Sequence, residues 1–330
     1  MSLSDGLIKE ILVNKGYPDI YEIRRVDETK RGRSTLNRVK ILNNKNEVVL
    51  SLMEKSVIQT WPFENKMYLY FLEHNYQHLI TRVFYNEFNE TGQKGILLME
   101  DLSDTHDNIS EWSTPVERES LDALIKVVSL FHGLGWGAPR EELLPNHLKD
   151  EEAYLTHLAF LEQDYNYFRE HQPFQLEDST FRIYEESLKK LREMAAGHIR
   201  RVNSFQYTTL IHGDLNVCNI LFPIRGCEPI KIIDLEAVRI GLCTEDLAML
   251  FIHDLYHGSE ATRPILKAYH DNLLRNYNGI QYTYEQFLED FRFSILEGIF
   301  FPLKLFTHNG VRDEELISKS IGAYKAFINE

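Results

Sequence analysis

The chain has 330 residues, of which 43% are apolar and 26% charged; this is ordinary globular usage, which excludes extensive disorder and fibrous repeats and leaves room for about two domains. Its 36 Lys+Arg stand against 50 Asp+Glu, a formal net charge of −14, which excludes a generally basic nucleic-acid binder and a polybasic membrane-surface protein. Residues 1–100 hold 14 basic and 13 acidic side chains, so the acidity belongs to 101–330.

In chain order, Tyr21–Val26 and Asn37–Leu42 read as strands, and a polar turn at Asn43–Asn46 leads into a third, Glu47–Met53. Pro62 stands where a helix can begin, since its missing N–H costs nothing at the first helical position. Met67, Tyr70, Phe71 and His74 continue at helical spacing. Arg82–Phe88 and Gly95–Leu102 form a further strand pair around the turn residues Glu90-Thr91-Gly92. Beyond Asp104 the pattern turns helical. Thr114-Pro115-Val116-Glu117 has the makings of a capping box, and Leu121, Leu124, Ile125, Val128 and Phe131 recur at helical spacing until Gly135 and Gly137. Glu151–Glu170 and Thr180–Ile199 read as helices, and Thr283-Tyr284-Glu285-Gln286 opens another towards Phe301. Residues 208–236 interrupt this as a small strand pair. A boundary falls near 102–114, giving an α+β first part, 1–102, and a larger, mainly helical second part, 103–330.

Cys218, Cys227 and Cys243 lack C-x-x-C spacing and form neither a disulfide framework nor a zinc site. No run reaches the ~18 apolar residues that span a bilayer; the most apolar stretch, 294–306, is broken by Glu297, Pro302 and Lys304. No basic region followed by an apolar core opens the chain. The expectation is a soluble cytoplasmic protein.

One segment carries chemistry. Leu210-Ile211-His212-Gly213-Asp214-Leu215-Asn216-Val217-Cys218-Asn219-Ile220-Leu221 puts a carboxylate on a loop between two aliphatic runs, with an amide five residues on. Ile232-Ile233-Asp234-Leu235-Glu236 follows, with a second carboxylate just past an aliphatic run. Two carboxylates and an amide are hard oxygen donors of the kind Mg²⁺ takes beside substrate phosphates and water.

His-Gly-Asp-Leu-x-x-x-Asn followed by Ile-Asp-x-Glu resembles the aminoglycoside phosphotransferase/choline kinase-like superfamily, relatives of the protein kinases. Gly241 with Asp246-Leu247-Ala248, the segment Leu97–Leu102, and Phe131-His132 with Trp136 resemble further landmarks of that superfamily, in its order, over about residues 20–300. The resemblance implies a bilobal protein kinase-like fold: a small N-lobe of antiparallel sheet plus helix, and a larger helical C-lobe. It implies ATP and Mg²⁺, with the γ-phosphate passed to a hydroxyl of a small molecule. Asp214 takes the role of catalytic base, Asn219 and Asp234 that of metal ligands, while His212 and Asp246 brace the loop. Backbone around Glu100, Asp101 and Leu102 meets adenine. Gly32 and Ser34, in Arg31-Gly32-Arg33-Ser34-Thr35, cover the phosphates. The superfamily's strand lysine and helix glutamate fall on Lys55 and Glu64. Spacing counted from Arg38 points instead to Ser51, on the same face but about 13 Å away.

The acidic second part suits a cationic hydroxylated acceptor such as an aminoglycoside or a choline-like alcohol, with Glu289, Asp290 and Glu297 on the late helix as candidates to meet it. Glu236 is a second candidate metal or water contact. His132 and Cys218 read as packing residues. Two rival functions remain at this level: a nucleotide-binding regulator without transfer, and a protein kinase. Against the latter, D-F-G, A-P-E and the kinase glycine loop are missing from the sequence.

Overall fold

A helix absent from the expectations above opens the structure: α1 (Asp5–Asn14), capped by the hydroxyl of Ser4, which accepts the Leu7 N–H at 3.3 Å. Ile8 and Leu12, one turn apart, share its buried face. The structure is a computed structural model, and it describes residues 2–31, 34–58, 63–74, 76–107, 118–137, 143–172, 174–224, 229–255, 258–277 and 279–328.

The strands of the first hundred residues form as their alternation predicts, most of them longer. They are β1 (Glu22–Arg31), β2 (Ser34–Leu42), β3 (Val48–Ile58), then helix α2 (Phe63–Glu73), β4 (Val83–Asn89) and β5 (Lys94–Glu100). The five pair antiparallel in the order β1-β2-β3-β5-β4. Pro62, the expected helix start, lies outside the described residues. A short strand, β6 (His106–Asp107), comes after them.

Helices then dominate. The expected cap at Thr114–Glu117 lies outside the described residues, but α3 (Arg118–Gly133) buries Leu121, Leu124, Ile125, Val128 and Phe131 as their spacing requires. Next come α4 (Glu151–His171), α5 (Asp178–Asn203), and the strands β7 (Thr208–Ile211), β8 (Ile220–Pro223), β9 (Lys231–Ile232) and β10 (Arg239–Leu242). The expected strand pair within 208–236 is β8 with β9, and β8 also pairs with β6; β7 instead takes β10, beyond that window. Helices α6 (Cys243–Leu250), α7 (Ser259–Asn276), α8 (Tyr284–Gly298), α9 (Phe301–Asn309) and α10 (Glu314–Phe327) complete the chain. The capping box of α8 forms as predicted: Gln286 N–H donates to Thr283 Oγ1 at 3.2 Å and Thr283 N–H to Gln286 Oε1 at 3.1 Å.

The chain divides into two compact units, 1–108 with 220–237, and 109–219 with 238–330. Two features of the first unit matter for the site. Its sheet packs Val39, Ile41, Leu52 and Leu98 against Ile8 and Leu12 of α1. On β3 the alternation of faces sends Glu54 to the α1 side and Lys55 to the other. Glu54 is fully buried; its carboxylate accepts the Leu3 N–H at 3.0 Å and the Asn37 amide at 3.1 Å, with the Arg25 guanidinium 3.9 Å away. Arg25 also bonds Ser2, the Leu3 carbonyl and Asp5, so one buried carboxylate and one arginine fasten the start of the chain to the sheet. Glu54→Ala orphans these donors in the interior and is expected to lower unfolding stability by about 2–4 kcal/mol, read from urea denaturation midpoints.

Candidate active site

In the first unit, β3 lies between β2 and β5, which fixes its register: Lys55 pairs with Leu36 on one side and Leu97 on the other. Its ammonium stands 2.8 Å from Glu64 Oε1, on α2, and 2.6 Å from Asp234 Oδ1, just beyond β9. Lys55 and Glu64 are buried, whereas the Asp234 side chain keeps 38% exposure. Burial opposes the charge on Lys55, but Glu64 and Asp234 outweigh it and raise its pKa above the ordinary lysine value. Burial pushes the Glu64 carboxyl up to about 7, against the pull of Lys55. Asp234 has φ 64°, a left-handed backbone that a β-carbon disfavours by about 1–2 kcal/mol. Such conformations gather where a side chain must be aimed.

Ser51, the alternative lysine position, makes a different contact. Its hydroxyl donates to Asp101 Oδ2 at 2.7 Å, and the Ser103 N–H and Arg38 guanidinium lie 3.1 and 2.9 Å from the same carboxylate. Although burial works the other way, these bonds hold the Asp101 pKa below the usual carboxylate value. Asp101 therefore turns into the sheet and stiffens the connection after β5, where Leu102 O accepts the N–H groups of Thr105 and His106 at 3.0 and 2.8 Å. Ser34 opens β2 opposite Arg31; Gly32 lies outside the described residues.

In the second unit the loop after β7 is built around Asp246. Its buried carboxylate accepts the N–H of His212 at 2.6 Å and of Gly213 at 2.8 Å, and it meets His132 Nε2 at 3.0 Å. His132 Nδ1 in turn meets the Tyr269 hydroxyl at 2.6 Å. Burial alone would raise the Asp246 pKa; the bonds from His132 and His212 lower it instead. Gly213, at φ 79°, supplies the left-handed turn that brings both amides to one carboxylate. Asp214 comes next, half-buried. Its two oxygens accept the side-chain amides of Asn216 and Asn219, each at 3.2 Å, and its carbonyl accepts the Asn219 amide at 2.8 Å. The amide nitrogen of Asn219 thus faces Asp214. Asn216 and Tyr269 are additions that the motif alone does not single out; an Asn two residues past a loop Asp is the signal that identifies the former.

The acceptor-side candidates fare differently. Glu289 is exposed, and Asp290 is buried against the Arg201 guanidinium and the Tyr282 hydroxyl. Glu297 bonds His157 and Tyr154. Among the described residues no three His, Cys, Asp or Glu side chains gather as a ready cation cage. Mg²⁺ needs none, since it keeps waters and binds through few protein oxygens plus phosphates. No helix among these residues is long and apolar enough to cross a membrane.

A protein-family model, DUF1679, described as "Uncharacterized oxidoreductase dhs-27", matches residues 33–309. No curated protein matches the sequence. Among solved structures, choline kinase from Cryptosporidium parvum Iowa II superposes with TM-score 0.57 at 12% identity, covering 99% of this chain and 95% of that one. Choline kinase LicA from Streptococcus pneumoniae gives 0.51 at 13%, covering 99% of each. Amicoumacin kinase hAmiN, in complex with AMP-PNP, Ca²⁺ and Ami, gives 0.51 at 12%, covering 99% and 96%. The fold is the kinase-like fold that these solved structures share.

Two measurements probe these networks. Asp246→Ala strands two N–H groups and a histidine in the interior and is expected to cost about 3–5 kcal/mol in urea unfolding. Glu64 binds its proton more tightly folded than unfolded, so its contribution is greatest below pH 4.5 and is lost as pH rises towards 7. The stability of the wild type relative to Glu64→Gln should therefore fall across that window, as read from denaturation midpoints at a series of pH values.

Proposed function

The chain belongs to the DUF1679 family, and from that premise, its fold and the residues above we propose that it is a phosphotransferase, moving the γ-phosphate of ATP to a hydroxyl of a small molecule. One observation carries the reading: a buried lysine held between a helix glutamate and Asp234, in a chain whose Asp214 is oriented by two asparagine amides. Lys55 offers a fixed positive charge to phosphate oxygens, and Glu64 keeps it in place. Asn219 and Asp234 would hold Mg²⁺, which would neutralise charge on the phosphates. Asp214 accepts the proton of the attacking hydroxyl while that oxygen bonds to the γ-phosphorus and ADP departs; the proton then passes to water. Main chain at Glu100–Leu102 meets the adenine, and Ser34, with Gly32, covers the phosphates. So few side chains suffice because phosphoryl transfer asks mainly for position and charge neutralisation.

The word oxidoreductase in the family description finds no support in the described strands. Every pairing among them is antiparallel, whereas a dinucleotide crevice needs parallel β-α-β units.

Asp214→Asn is expected to cut acceptor-dependent ADP release by about 10²–10⁴-fold while leaving nucleotide affinity within twofold. Asp234→Asn should weaken Mg·ATP binding about tenfold or more. A coupled ADP assay over hydroxylated acceptors, with a nucleotide titration beside it, reads both. Undiminished turnover in Asp214→Asn removes the mechanism, and nucleotide binding without turnover on any acceptor favours the regulator.

A further inference from the structure

The loop that carries Asp214 is held by Asp246, and Asp246 is held in part by a ring that can carry its proton in two places. His132, on α3, is fully buried; its Nε2 lies 3.0 Å from Asp246 Oδ2 and its Nδ1 2.6 Å from the Tyr269 hydroxyl of α7. A neutral imidazole has one ring proton, and the bond made at one nitrogen decides whether the other carries it. Asp246 also accepts the N–H groups of His212 and Gly213, and the bonds around it keep its pKa below the usual carboxylate value. An ionised carboxylate can only accept. His132 therefore satisfies Asp246 only while Nε2 holds the proton.

Tyr269 is placed to keep it there. Its hydroxyl bonds His132 Nδ1 on one side and the Cys243 thiol on the other. A ring nitrogen is a far better acceptor than sulfur, so the O–H points at Nδ1 and leaves that nitrogen bare. Burial raises the Tyr269 pKa well above the ordinary phenol value, so the hydroxyl keeps its proton and stays a donor. The phenol ring is itself confined: it stacks on Phe287 of α8 and meets the His132 ring edge-on, with centroids 5.7 Å away in each case. The approach of α7 to α3 is fixed as well. At Gly133, next to His132, a β-carbon would fall 1.7 Å from the ring of Tyr277, whose hydroxyl donates to Leu130 O at 3.0 Å. Glycine at that position lets the end of α7 come this close, and the closeness brings Tyr269 within reach of the imidazole.

We propose that Tyr269 is a positioning residue for the transfer step: by donating to His132 Nδ1 it fixes the Nε2–H tautomer, which holds the Asp246 carboxylate against the loop and keeps Asp214 in one place. The transfer step rests on the phosphotransferase reading; the placing of the ring proton does not. Without the phenol O–H, Nδ1 is free to take the proton, and Nε2 then turns a lone pair towards an ionised carboxylate. That contact is repulsive, so Asp246 must shift, and the His212 and Gly213 amides lose their common acceptor. Asp214 follows directly in the chain, so the disturbance reaches it through the backbone. Tyr269 thus acts on Asp214 through two intermediaries, each of them buried.

The test uses the full-length protein, and two of its three arms need no acceptor. Nitrogen-15 spectra of histidine-labelled protein, with His132 assigned by the signals lost in His132→Gln, are expected to show Nε2 protonated and Nδ1 bare in the parent. In Tyr269→Phe a proton is expected on Nδ1. Amide exchange read by mass spectrometry should quicken about tenfold over residues 209–216 in that variant, with α10 unchanged. In ADP-release kinetics Tyr269→Phe should lower kcat about tenfold, with KM for ATP and acceptor within about twofold. His132→Gln offers Asp246 an amide N–H whose place does not depend on Tyr269, so adding Tyr269→Phe to it should cost no further kcat. A parent ring with a proton on Nδ1, an unchanged tautomer in Tyr269→Phe, exchange at 209–216 that is unchanged or quickens equally in α10, or losses that multiply in the double variant each overturn the proposal. If Tyr269→Phe does not fold, the parent spectrum alone decides. Absence of turnover on any acceptor in the wild-type chain breaks the phosphotransferase reading and leaves the spectra and the exchange to judge this one.

Discussion

A lysine ammonium can be buried only where negative charge meets it, and Lys55 meets two carboxylates. Removing an ion of that size from water costs several kcal/mol even after relaxation. Glu64 and Asp234 offset the cost, yet they are not equivalent. Glu64 is sealed, and its carboxyl is driven up to about 7 by that burial, so the pair sits close to the edge of its own ionisation. Asp234 is partly exposed and held by a left-handed backbone. The arrangement therefore has one closed and one open end, and an anion arriving beside Asp234 finds a positive charge already fixed in direction. Three separate elements supply the three groups. The fold's task in the first unit is to keep them there.

The loop around Asp214 obeys the same rule with backbone donors in place of a lysine. Asp246 is buried because two amides and a histidine surround it, and once buried it dictates the path of His212 and Gly213. Asp214 inherits its position from that path. An arrangement of this kind is stiff, since any movement of the loop would leave a buried carboxylate short of donors. Rigidity at that point is what a proton acceptor requires if it is to meet a hydroxyl in one geometry.

How much of this the sequence discloses depends on how local each interaction is. The bonds from Asn216 and Asn219 to Asp214 span two and five residues, so the loop is legible as a motif. Lys55 is ambiguous for the opposite reason. The strand whose pattern ends at Met53 runs to Ile58, and a register shift near Ile41 breaks the count along β2 and β3. Counting from Arg38 consequently selects Ser51, which instead bonds Asp101. The β8–β9 segment joins the first unit although it lies more than a hundred residues beyond it in the chain. Nothing in its short aliphatic runs announces the partner β6. Helix α1 carries readable signals, Ser4 as cap and Ile8 with Leu12 a turn apart, but its anchoring to Glu54 across 51 residues has no local trace.

Net charge is the least transferable clue. The excess of acidic residues in 101–330 suggests a cationic acceptor, yet several of those carboxylates already have partners. Asp290 has Arg201, and Glu245 has Arg239. A carboxylate paired with a guanidinium contributes little field at distances well beyond the pair's own separation, because from there the pair is a dipole rather than a charge. What a ligand meets is set by the groups left without a compensating charge. Recognition also depends on the direction of donors and acceptors, a property no count of residues contains.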